Sequence, residues 1–133
     1  MAIILTSLAE ERLRSEELVW LSGVRPDGRP HTVPVWFLWE HDTVLIFSKP
    51  DTQKLRNLRL HPAVTLALDN AKQGIVILEG TATLLEKGGA RESLPAYAEK
   101  YREGLQRFSV TAEQFTMLYS QPIRITLARL VRW

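Results

Sequence analysis

The sequence predicts a mainly β domain with α-helices: six antiparallel strands closed into a small barrel. Three observations predict it. Six β-rich apolar runs are joined by short polar breaks. The longest of them carries an internal glycine, Gly80, which suggests a bulge or a bend of the kind found at a barrel corner. Six strands in one small domain are better closed than left with open edges. The 133 residues fit a single domain, 1–133, because a second would be too small to hold its own core.

TSLAEERLRSEE opens the pattern as a helix. Thr6 or Ser7 can cap it, Glu10 and Glu11 suit its first turns, and Leu8 and Leu13 can share part of one face. LVWLSGV (18–24) is the first strand. Arg25-Pro26-Asp27-Gly28 is a turn in which proline presets one dihedral and glycine supplies a positive one. HTVPVWFLW (31–39) and TVLIFS (43–48) follow, separated by Glu40-His41-Asp42, and the three runs read as an antiparallel meander. Residues 50–60 form a short helix with Leu55 and Leu58 as its apolar stripe and Arg56 and Arg59 on its wet face; His61-Pro62 ends it. AVTLALD (63–69), the turn DNAKQG and the long strand 74–86 come next. Lys87-Gly88-Gly89 breaks the chain before two helical segments, 91–103 and 111–119. Pro122 opens a last strand, in which Ile123, Ile125 and Leu127 alternate with Arg124 and Thr126.

Composition excludes several classes. Hydrophobic residues at 45% and charged residues at 24% give an ordinary globular balance, not a disordered chain. Seventeen Lys and Arg against 15 Asp and Glu leave a net charge of +2, too small an excess to argue for nucleic acid. Cysteine is absent, which removes disulfides, thiolate catalysis and cysteine zinc sites and suits a cytoplasmic location. MAIILTSLAEERL has no basic n-region, so no signal peptide is expected, and no apolar run is long enough to call for a membrane. His31, His41 and His61 have no partners at ligand spacing, so no metal site is expected. No nucleophile elbow, P-loop or dinucleotide glycine motif is present, and no carboxylate pair stands out. No catalytic side chain is identified; an enzyme of this composition would borrow its chemistry from a cofactor.

Two stretches carry a possible site. In HTVPVWFLW, Pro34 sits mid-strand where it cannot donate to a ladder, so the strand has an edge or a bulge there. An irregular strand leaves backbone groups free to meet a flat polar ring; it is equally read as a bulged core strand. In FSKPDTQK (47–54), a strand runs into a helix N-terminus, a natural seat for an anion. Ser48 and Thr52 add hydroxyls, and Lys54 flanks the Leu55/Leu58 stripe so that its stem packs while its ammonium reaches back. A plain helix cap by Ser48 or Asp51 explains the same residues, and the charge of Asp51 opposes an anion.

The order of these pieces resembles the pyridoxamine 5′-phosphate oxidase-like, FMN-binding split β-barrel superfamily. It is similar in particular to a small single-domain branch described as coenzyme F420-dependent enzymes. The resemblance covers nearly the whole chain and rests on VWLSGVRPDGRPHTVPVWF, FSKPDTQKLRNLRLHPAVTLAL, VILEGTATLL and YAEKY…FTMLYSQPIRITLARLVRW. It implies a homodimer with two cofactor sites, each built from both chains. Thr32, Val33, Pro34, Val35 and Trp36 would face the flavin-type ring. Phe47 and Ser48 would lie by the ribityl chain. Thr52 and Lys54 would hold the phosphate, with Lys49 or Arg56 as helpers. The partner would add a residue near Gln73 or Gly74 and the chain end near Arg124 or Trp133. Thr32 and Gln53 stand where FMN-using oxidases of the family carry basic residues, which favours a deazaflavin over a pyridoxamine phosphate oxidase.

The resemblance therefore implies an oxidoreductase that uses FMN or coenzyme F420 on a small-molecule substrate. The alternatives are a non-catalytic flavin or deazaflavin carrier or sensor, and a small basic barrel for nucleic acid, for which Trp36, Trp39 and the Arg56/Arg59 helix would serve.

Overall fold

The computed structural model describes residues 3–133. Residues 1 and 2, part of the segment read as lacking a signal peptide, lie outside that range. The chain runs α1 (Ser7–Ser15), β1 (Leu18–Val24), β2 (Pro30–Trp36), β3 (Leu38–Glu40), β4 (Thr43–Ser48), α2 (Gln53–Leu60), β5 (Ala63–Asn70), β6 (Gly74–Leu84), a 3₁₀ turn (Arg91–Ser93), α3 (Leu94–Lys100), α4 (Arg102–Arg107), α5 (Ala112–Leu118) and β7 (Gln121–Leu130). The strands form one curled antiparallel sheet in the order β2-β1-β5-β6-β7-β4-β3.

Seven strands replace the six expected, because 31–39 is not one strand. It breaks at Phe37 into β2, which pairs with β1, and β3, which pairs with β4. These are the two opposite edges of the sheet, so the expected three-strand meander is replaced by two hairpins joined by a bend. Pro34 pairs with Trp20 in an unbroken β1–β2 register. Edge position alone accommodates the proline, and no bulge is needed there. The β3–β4 turn is tight: His41 (φ 49°) and Asp42 (φ 58°) both adopt the left-handed conformation that matches the twist of a two-residue hairpin.

The helices also differ at their ends. Thr6 caps α1, accepting a hydrogen bond from Ala9 N at 3.1 Å. Its inner face is Ala9, Arg12 and Leu13, and Leu8 points to solvent. Arg12 is fully buried but satisfied: it pairs with Glu16 and donates to the carbonyls of Leu68 and Gln73, both at 3.3 Å. Its partners offset the desolvation of the buried cation, and removing one would leave an uncompensated charge. α2 starts at Gln53 rather than Pro50, because Asp51 is left-handed (φ 64°) and Thr52 is extended. The expected helix 91–103 is a 3₁₀ turn, α3 and the start of α4, broken at Tyr101 (φ −105°, ψ 25°).

Two cores result. The barrel interior is filled by Val19, Leu21, Val44, Ile46, Leu66, Leu68, Leu78, Ile123 and Ile125, plugged by α1 and by Leu55 and Leu58 of α2. Outside the sheet, α3–α5 cover Leu38 and Leu45 with Tyr97, Tyr101 and Leu105. β4 is buried on both faces, which is why TVLIF reads as a continuous apolar run.

The bend foreseen at Gly80 is present. Glu79 faces Arg129 while Gly80 faces Leu127, so Ala128 is an extra residue on β7. A Cβ on Gly80 would lie 2.5 Å from Thr126 O and 2.9 Å from Ile125 Cγ2. Gly80→Ala is therefore expected to cost about 2–3 kcal/mol in urea unfolding. An unchanged midpoint would show that the crossing of β6 and β7 has slack.

Candidate functional site

A groove of about 650 Å³ lies where the end of β2, the end of β4 and the first turn of α2 meet the α4–α5 pair. Pro34, Val35, Trp36 and Phe47 line its strand side, with Leu18 beside them. Phe108, Phe115, Leu118 and Tyr119 form the opposite wall. Its charged residues are Lys54, Arg107 and Glu17.

The wall is held by stacked rings. Trp36 lies flat on Tyr101, with centroids 4.4 Å apart and planes 6° apart, and 5.5 Å from Phe115. Phe115 continues to Tyr119 at 4.3 Å, and Lys49 Nζ stands 5.5 Å over the Tyr119 ring. Gly104 permits the close approach of α4. A Cβ there would lie 2.7 and 2.9 Å from two Trp36 ring atoms.

Tyr101 and Lys100 secure the bend that aims β2 at the groove. Phe37 N donates to Tyr101 Oη at 2.7 Å, and Tyr101 Oη lies 2.8 Å from both Glu17 O and Phe37 O. Lys100 Nζ donates to Phe37 O at 2.8 Å and lies 3.6 Å from the Phe37 ring centroid. Burial pushes the Tyr101 hydroxyl up and pulls the Lys100 ammonium down to about 8, against the pull of Glu17 and Glu16.

Lys54 is the group with chemical consequence. It is half-buried, burial lowers its pKa, and among the described residues it has no ion-pair partner. His31 is held below the usual imidazole value, mainly by burial and then by Arg25 and Lys54. The corner around Lys54 thus gathers positive charge, while Glu17 is the carboxylate among the groove's lining residues. The start of α2 adds to it, since Thr52 makes no side-chain cap and the first turn holds no acid.

The groove brings together Pro34, Val35, Trp36, Phe47 and Lys54 of the residues the sequence singles out. The others lie around or away from it. Thr32 is exposed and shares a 2.9 Å hydroxyl bond with Ser22, while Val33 packs into the barrel. Ser48 is buried, donates to Lys49 O at 2.8 Å and sits 3.3 Å from Thr52 Oγ1. Arg56 turns back onto Asp51 O and Gln53 Oε1. Asp51 precedes the N-cap and caps nothing with its carboxylate. Gln73, Gly74, Arg124 and Trp133 do not line the groove of their own chain; Arg124 is 3.5 Å from Glu40 and 3.0 Å from Thr43 Oγ1.

The α4–α5 wall is what sequence reading missed. Its signal was present in the i,i+4 aromatic pairs Tyr97/Tyr101 and Phe115/Tyr119. Among the described residues no cluster of His, Cys, Asp and Glu could hold a metal, and no helix is long and apolar enough to cross a membrane.

A family model described as pyridoxamine 5′-phosphate oxidase matches residues 5–128. No curated protein matches the chain. Among solved structures, a HupZ protein of Group A Streptococcus is similar at 17% identity and TM-score 0.71, over 96% of this chain and 98% of that one. An F420 reductase is similar at 18% identity and TM-score 0.68, over 97% of both chains. HutZ, the heme storage protein from Vibrio cholerae, is similar at 14% identity and TM-score 0.67, over 96% of this chain and 92% of that one. At these identities the likeness is one of fold.

Lys100 yields a pH prediction. Its folded pKa of about 8 lies below the ordinary 10.5, so between those values the unfolded chain binds more protons. Stability from this site rises with pH across that window. Relative to Lys100→Met, the parent should gain on the order of 1 kcal/mol from pH 8 to 10 in denaturant titrations, after allowance for residual solvent. Parallel pH profiles would remove Lys100 from this role.

Proposed function

This chain belongs to the pyridoxamine 5′-phosphate oxidase family, and on that premise we propose that it is an oxidoreductase that binds FMN or the deazaflavin coenzyme F420 and acts on a small-molecule substrate. The observation that carries the reading is Lys54: a half-buried ammonium with no salt bridge among the described residues, in an aromatic groove. An anion arriving there offsets the desolvation that Lys54 already bears.

The groove fits a flat ring with a phosphate tail. Pro34 and Val35 offer one wall and the stacked Trp36, Phe115 and Tyr119 rings another, at a volume of about 650 Å³. Lys54 and the free start of α2 receive the phosphate, with Thr52 beside them. When bound, the flavin or deazaflavin ring supplies the hydride chemistry. The protein's part is to orient the ring, exclude water with the aromatic wall and neutralise the phosphate. Among the described residues the groove lining offers no histidine, cysteine or methionine to an iron-bound haem, and the hydroxyl of Tyr101 is engaged with Phe37 and Glu17, which leaves Tyr119, whereas a flavin-type ring needs no axial ligand.

The site is proposed to be completed in a homodimer. Leu18, Trp20 and Ile75 expose 49%, 42% and 44% of their surface on the outer side of the sheet. Leu18 and Pro34 carry that apolar face into the groove.

Lys54→Ala should weaken binding of FMN or F420 by one to two powers of ten, about 2 kcal/mol, in a fluorescence titration. Unchanged affinity for both would remove Lys54 from the site. Substrate-dependent oxidation of the reduced cofactor under anaerobic conditions separates an enzyme from a carrier or sensor. Trp20→Glu should convert a dimer to a monomer in light scattering and lower cofactor affinity with it. A variant that stays dimeric would place the interface elsewhere.

A further inference from the structure

A second cavity, of about 480 Å³, lies on the far side of the Phe47 and Tyr119 rings from the groove. It is closed by the loop after β6, by the end of α5 and by the start of β7. Phe47, Leu94, Met117 and Pro122 form its apolar surface. Lys87 and Arg91 stand at it. Neither makes a salt bridge or a side-chain hydrogen bond among the described residues, although seven other arginines do. Gly88 lies between them in the chain. Its φ of +80° makes the loop turn back, and a Cβ there would lie 3.4 Å from Arg91 Nη2.

We infer that this cavity is a binding site for a small organic acid, with the apolar body against Phe47, Leu94 and Met117 and the carboxylate between Lys87 and Arg91. Two cations left unpaired beside an apolar hollow favour a ligand with an acidic head and an apolar body. A neutral ligand gains nothing from either charge, and a purely ionic one leaves the apolar surface wet. The site does not depend on the cofactor reading, since none of the groove's cations lines it.

The test compares octanoate with octanol by calorimetry at low salt, on the full chain. Octanoate should bind with one-to-one stoichiometry and about tenfold more tightly than octanol. In Lys87→Gln/Arg91→Gln that preference should vanish, while Lys54→Ala keeps it. Both changes lie on exposed side chains, and thermal melting checks that the fold is intact. FMN and F420 affinity should be unaltered in the double variant, so failure here is distinguishable from failure of the cofactor site. The inference is overturned if neither ligand binds, if both bind equally, if the double variant keeps the preference, or if Lys54→Ala loses it.

Discussion

The barrel depends on the bend at Phe37. One continuous stretch, residues 30–40, supplies both edges of the sheet, so the sheet curls because its two ends are covalently one segment. At the bend the backbone leaves both ladders inside a buried environment, where unpaired N–H and C=O groups are expensive. A single tyrosine answers this. The Tyr101 hydroxyl accepts from Phe37 N, and its one proton is shared between the carbonyls of Phe37 and Glu17. Lys100 donates to the same Phe37 carbonyl. The start of β1, the β2–β3 joint and the α3–α4 junction are thereby tied at one point, and the break in helix geometry at Tyr101 is where that point falls.

The groove is a consequence of this tie. With Tyr101 fixed, its ring offers a flat surface to Trp36, and the absence of a side chain on Gly104 lets α4 close down on the indole. Phe115 and Tyr119 extend the stack toward the end of β4. There Phe47 meets the Tyr97 ring edge-on, and Phe47 and Tyr119 become the partition between two cavities. Charge follows the same geometry. Carboxylates pair with arginines elsewhere on the molecule, whereas Lys54 on one side of the partition and Lys87 and Arg91 on the other make no salt bridge among the described residues. In a chain with a net charge of only +2, the site's character comes from this local imbalance, not from overall charge.

The sequence by itself determined the mainly β class, the strands other than 31–39, a bulge or bend at Gly80, an edge or bulge at Pro34 and the family, since each rests on local spacing or on the order of segments. It also placed Lys54 beside an apolar stripe at a helix start, which is where the structure has it. Only the tertiary structure decided that 30–40 is two strands at opposite edges, because nothing in VPVWFLW marks Phe37 until Tyr101, 64 residues later, supplies its hydrogen bonds. It alone decided which polar residues of FSKPDTQK are free. Ser48 and Arg56 are consumed by neighbouring backbone and side chains, and Lys54 is not. The aromatic wall belongs to the same class. Its i,i+4 pairs are visible in the sequence, but the strand they face is fixed only by packing between segments far apart in the chain, and local periodicity carries no information about that.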